Sequence, residues 1–160
     1  MKINEYFKTP IWSEQKPEFL KSLNKASNKY IKTSIAKNKK YFVSSNHSIS
    51  LTKDNDFRDF KKYVGDKSWE FLDHHGYDMN QYEIMFTELW VQEFNKKGGG
   101  HQSAHVHPNQ HVSGFYFLKA SEKTSMPVFH DPRNGARATK LKLKPKIKEI
   151  VNGTELVHYR

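Results

Sequence analysis

From Tyr82 to Phe94 the chain alternates with a period of two, and apolar side chains fall on both faces. Tyr82, Ile84, Phe86, Glu88, Trp90, Gln92 and Phe94 share one face, and Glu83, Met85, Thr87, Leu89, Val91 and Glu93 share the other. Side chains two apart point the same way from a β-strand. A strand apolar on both faces needs neighbours on both, so this stretch reads as a central strand. The rest of the chain must then supply partner strands. Asn95 to Gly100 reads as a turn, and a second strand runs to His107, where Pro108 stops it because it cannot pair in a central strand. Val112 to Leu118 reads as the return strand, rich in β-branched and aromatic residues. Met126 to His130 is a further short strand, ended by Asp131-Pro132-Arg133-Asn134-Gly135. Lys140 to Val151 alternates lysine with leucine, proline or isoleucine, as a half-exposed strand does, and Asn152-Gly153 turns it back into Thr154 to Tyr159.

Upstream the period is helical. Pro17 suits the start of a helix whose Phe19, Leu20, Leu23, Tyr30 and Ile31 form a stripe. Lys32 to Ser50 is polar and reads as loop, with one strand at Tyr41-Phe42-Val43. Asp54 or Asn55 then caps a second helix carrying Phe57, Phe60, Val64, Phe71, Leu72 and His75. Gly76 fits the left-handed residue that closes it. The expected architecture is one domain over residues 1–160, helical in 1–80 and stranded in 81–160, mainly β with N-terminal helices. The second helix is expected to lay its aromatic stripe on the outside of the sheet.

Composition narrows the chemistry. There is no cysteine, so disulfides, thiolate metal sites and a cysteine nucleophile are excluded, and any metal is held by nitrogen and oxygen. The net charge of +10 points toward nucleic acid, but only four of the 27 basic residues are arginine. Lys37 to Lys40 and Lys140 to Lys148 read better as solvated faces, so nucleic acid is not among the expected partners. Neither a signal peptide nor a membrane span is visible, and a cytoplasmic protein is expected.

Four of the nine histidines, His101, His105, His107 and His111, lie in one stretch. His105 and His107 would present two imidazoles on one face of a strand end, beside the Pro108 turn. That is the start of a metal site, with ring nitrogens expected within about 3–4 Å of each other. His101 reads as a hydrogen-bonding neighbour and His111 as facing the turn. His74 and His75 suit the last turn of the second helix. Asp131 has two readings, a carboxylate ligand or the cap of the Pro132–Gly135 turn. Arg133 likewise reads as a bidentate partner for a carboxylate or as an internal salt bridge.

Four short motifs occur in order: Glu88-Leu89-Trp90, His105-Val106-His107-Pro108, Ser113-Gly114-Phe115-Tyr116-Phe117-Leu118, and Phe129-His130-Asp131-Pro132-Arg133. In this order the chain resembles the 2-oxoglutarate- and iron(II)-dependent oxygenases of marine phages and bacteria, in the prolyl-hydroxylase-like superfamily. The similarity runs from Phe7-Lys8-Thr9-Pro10-Ile11 to the end of the chain. The resemblance implies a double-stranded β-helix, or jelly roll, with Fe(II) and 2-oxoglutarate as cofactors. It also implies hydroxylation of a small-molecule or peptidyl substrate, with 2-oxoglutarate leaving as succinate and CO2. His105 falls on the first ligand of the superfamily's His-x-acid motif, and His107 stands where the acid would be. Asp131 is then the candidate carboxylate. Tyr116, Phe117 and Arg133 fall toward 2-oxoglutarate, and Phe117 stands where relatives carry a tyrosine hydroxyl. Relatives continue with a Phe-Pro-Ser segment, a distal histidine and a basic residue. This chain is therefore expected to be a jelly roll incomplete at its C-terminus, unless His158 and Arg160 substitute. Open sheet edges would favour a homo-oligomer. Two other readings carry weight. One is a cupin-like metal jelly roll, in which Gly99 leads His105-Val106-His107 and His111 replaces the expected glutamate. The other is a non-enzymatic basic binding module.

Overall fold

Pro17 opens the first helix: Pro17–Phe19 form a 3-10 turn that runs into α1, Leu20–Lys37. A proline there forfeits no intrahelical hydrogen bond and arrives with φ already set for the helix. The buried face of α1 carries Leu23, Ala26, Ser27, Ile31 and Ser34, the spacing of a helical stripe. Three of these are small, which lets β1, Ser45–His47, approach closely. Ser34 Oγ accepts the backbone N–H of His47 at 3.2 Å.

The computed structural model describes residues 2–3, 9–95, 100–120, 127–130, 132 and 155–157. Its contacts divide the chain into two units, Met1–Gly114 and Phe115–Arg160.

In the first unit, β1 pairs antiparallel with β2, Gln92–Phe94, in the register Ser45↔Phe94 to His47↔Gln92. Backbone bonds continue the pairing beyond the strands, from Ser48 N–H to Val91 O at 2.9 Å and from Leu51 N–H to Leu89 O at 2.7 Å. Leu51, 1% exposed, is the most buried large side chain among the described residues. The strand expected at Tyr41-Phe42-Val43 forms at Ser45–His47 instead. The partner strand dictates this. Asn95 closes the end of the ladder through Ser44 O and Val43 O, and Tyr41 N–H turns back to Asn38 O. Tyr41 and Phe42, past that end, are 75% and 72% exposed.

Asp54 begins the second helix. Its Oδ1 accepts Asp56 N–H at 2.8 Å, a 3-10 turn spans Asn55–Phe57, and α2 follows over Arg58–His74. Asp54 Oδ2 also accepts the Tyr30 hydroxyl, so one carboxylate caps α2 and ties it to α1. At the far end Gly76 takes φ +92°. Its N–H reaches Asp73 O at 2.8 Å and the Tyr77 N–H reaches Leu72 O at 3.3 Å, the paired bonds of a Schellman cap. Trp69 Nε1 donates to Met79 O at 3.2 Å and holds the returning chain.

The stripe on α2 divides between two partners. Phe60 and Tyr63 meet Phe19 at the start of α1, with ring centroids 5.5 and 5.2 Å apart. One turn on, Gly65 faces Ile84 and Phe86. The expected long strand therefore forms a ladder only at Gln92–Phe94, while residues around 84–86 lie against α2 by one face and leave Met85 79% exposed. Among the described residues no helix is long and apolar enough to cross a membrane.

In the second unit, β3, Val128–His130, pairs antiparallel with β4, Glu155–Val157, in the register Val128↔Val157. The return strand expected at Thr154–Tyr159 is realised in Glu155–Val157, and the ladder described for it is with β3. The Lys140–Val151 strand and the Asn152-Gly153 turn lie outside the described residues. Val112–Leu118, expected as a strand, carries no ladder among them. Within this unit Phe115 packs edge-on to Phe117 at 5.2 Å and stacks on Phe129 at 6.2 Å.

Candidate metal centre

Gly100 brings the histidine stretch back onto the sheet. A Cβ there would stand 2.8 Å from both Asn95 N and Ser44 O and 2.9 Å from Phe94 Cβ, so only glycine passes. From that point the chain runs antiparallel to the segment it left. Gln92 Nε2 donates to Gln102 Oε1 at 3.1 Å and to Ser45 Oγ at 2.9 Å. His107 then stacks on Trp90, and Gln110 Nε2 donates to Thr87 Oγ1 at 3.2 Å. The expected hairpin course is thus held by side chains, with no ladder assigned to residues 100–107. Pro108-Asn109 turns the chain after His107, with Asn109 at φ +61°. Proline followed by a left-handed residue is the order a tight turn of this kind favours, and asparagine tolerates that φ better than any other side chain.

The turn and the stack bring the two imidazoles together. His105 Nε2 lies 3.1 Å from His107 Nε2, and the ring centroids are 4.9 Å apart at 48°. The Nδ1–H of His105 donates to Ser103 O at 2.7 Å. That bond places the ring proton on Nδ1 and leaves the Nε2 lone pair facing His107. Metal-binding histidines are held in this way by the nitrogen that does not coordinate. Two nitrogens that share one ion at about 2.1 Å each, at roughly a right angle, stand about 3 Å apart. The pair therefore fits as two donors to one cation. Without an ion, 3.1 Å is equally the length of an N–H···N bond, with the proton on His107 Nε2. His105 is exposed and His107 half-buried, so the pair is open to solvent on one side.

Among the described residues no three histidine or carboxylate side chains form a metal-holding group. Asp131 and Arg133 lie outside the described residues, as do His158 and Arg160. His101 and His111 are exposed. Tyr116 and Phe117 are half-buried in the second unit, where Phe117 packs on Phe115. The sequence contained no sign of His47. Its ring stacks on Trp90 at 5.2 Å and 29°, and only the β1–β2 register brings these distant residues together.

Residues 88–157 match the family described as "Putative 2OG-Fe(II) oxygenase". The matched stretch contains the histidine pair and Trp90 and leaves out both helices and β1. At the level of the family it supports a 2-oxoglutarate- and iron-dependent oxygenase. No curated protein matches the chain. No solved structure matches it either.

Proposed function

We propose that this chain is a 2-oxoglutarate- and Fe(II)-dependent dioxygenase that hydroxylates a small-molecule or peptidyl substrate, in a jelly-roll framework. The reading is carried by one observation. His105 and His107 bring their Nε2 atoms to 3.1 Å of each other, a spacing that fits two donors to one cation, within the stretch that matches an iron oxygenase family. His105 and His107 would hold the ion, and Asp131 is the candidate for the acidic ligand. Bound there, Fe(II) with 2-oxoglutarate would supply the oxidising power for C–H hydroxylation. The protein's part is to orient the imidazoles: the Ser103 carbonyl accepts the Nδ1–H of His105, and the Asn109 turn sets where His107 ends. Arg133 would pair with a carboxylate of 2-oxoglutarate, and Tyr116 and Phe117 would line its place.

Isothermal titration with Co(II), a redox-stable stand-in for Fe(II), tests the site. Binding should be lost in His105→Ala and in His107→Ala and retained in His101→Ala and His111→Ala. Metal-dependent binding of 2-oxoglutarate should follow the same pattern. Wild-type Co(II) affinity in both His105→Ala and His107→Ala would refute the reading.

A further inference from the structure

We propose that Trp90 is a positioning residue for the metal ligand His107, and that His47 steadies the same indole; the inference rests on the metal reading of the histidine pair. A ligating imidazole needs its ring plane fixed, ordinarily by a hydrogen bond from its second nitrogen. His105 has that bond, to Ser103 O. His107 has none from Nδ1 among the described residues. Its ring is instead held parallel to the Trp90 indole, at 7° with centroids 6.0 Å apart. That separation with that angle is an offset, near-parallel stack.

Trp90 is itself held on the sheet side. The next residue, Val91, donates its N–H to Ser48 Oγ at 3.0 Å and accepts from Ser48 N–H at 2.9 Å. His47 stacks on the indole and is fixed in turn, with Nδ1 on Ser48 O at 2.8 Å and its backbone N–H on Ser34 Oγ of α1. The support thus runs from α1 through β1 and Trp90 to His107. The two ring partners of Trp90 among the described residues are both imidazoles. His47 also lies outside the 88–157 stretch, so the support joins the helical part of the chain to the candidate centre.

Co(II) titration of the full 160-residue chain, read by calorimetry and by tryptophan fluorescence, tests the proposal. Co(II) should quench part of the wild-type emission, and Trp90→Phe should abolish that part while keeping near wild-type affinity. Trp90→Leu, which keeps apolar bulk but not the ring face, should bind about ten-fold more weakly, as losses of ligand-orienting groups do. His47→Leu, at an exposed position, should weaken binding by a smaller factor and remains informative if Trp90→Leu does not fold. Wild-type affinity in both Trp90→Leu and His47→Leu, or equal losses in Trp90→Phe and Trp90→Leu, would overturn the proposal. The histidine variants separate the two failures. If His105→Ala and His107→Ala abolish binding while Trp90→Leu and His47→Leu bind normally, the metal reading stands and the positioning role falls. If the wild type itself does not bind, both fall together.

Discussion

Replacing Gly100 with alanine should damage this protein far more than one added methyl group implies. The new Cβ would lie 2.8 Å from Asn95 N, 2.8 Å from Ser44 O and 2.9 Å from Phe94 Cβ. None of these is the free end of a flexible side chain, so the backbone itself must give way. The first thing displaced is the bond from Asn95 N–H to Ser44 O, 3.0 Å long, which closes the β1–β2 ladder. Losing it costs about 1 kcal/mol. Forcing backbone apart costs roughly 1–3 kcal/mol as overpacking. Alanine stiffens the unfolded chain and returns about 0.5 kcal/mol. The net is a loss of about 2 kcal/mol, or a fall in Tm of about 4–8 °C for a chain of this length. Thermal melts followed by circular dichroism measure it directly. Co(II) titration of the same variant should show weaker binding, because residues 100–107 hang from this contact. An unchanged or raised Tm would refute the argument and mean that Gly100 does not sit against Asn95 and Ser44.

The same substitution at Gly65 should act in the opposite direction. A Cβ there meets Ile84 Cγ2 and Phe86 Cε2 at an ordinary 3.8 Å, so Gly65→Ala should stabilise α2 by about 1 kcal/mol in urea unfolding. At Asn109, valine should cost about 1–2 kcal/mol because φ is +61°, whereas glycine should be close to neutral, as paired thermal melts would show. The Tyr30 hydroxyl and then the Asp56 N–H hold the Asp54 carboxyl below its ordinary value. A depressed folded value means that the unfolded state binds the proton more readily. The stabilisation is complete above the ordinary carboxylate value near 4 and is lost as pH falls through the lower folded one. Asp54→Asn should therefore flatten the acid limb of a stability–pH profile, and an unchanged limb would show that Asp54 is not responsible.

The helices were legible because their ends are written locally. Pro17, Asp54 and Gly76 each act on neighbours within a few residues, and each sits where its chemistry predicts. The closeness of His105 and His107 was legible from their spacing of two, but the Trp90 stack on His107 was not. What failed depended on distant partners. The position of β1 is dictated by Asn95 and β2, not by the apolar run Tyr41-Phe42-Val43. Phe60 matches a helical stripe whether it meets a sheet or, as it does, Phe19. The alternation from Tyr82 to Phe94 put Ile84 and Phe86 on one face, and both meet Gly65 of α2. Alternation alone cannot say how many residues find a ladder partner and how many lean on a helix. Nor could it show that Trp90 meets the rings of both His47 and His107.

The bond from His105 to the carbonyl of Ser103 is made to main chain, two residues upstream. Whatever residue occupies position 103 carries that same carbonyl. Scanning this loop with alanine would therefore leave the anchor of His105 intact and score position 103 as dispensable. The hold on His107 depends instead on the indole of Trp90, outside the loop, which alanine at position 90 would remove at once. Of two supports for one pair of rings, ordinary mutagenesis would register only the second. The first would surface only when the loop's length or path is altered, by an inserted residue or by a proline at Ala104 that re-aims the Ser103 peptide.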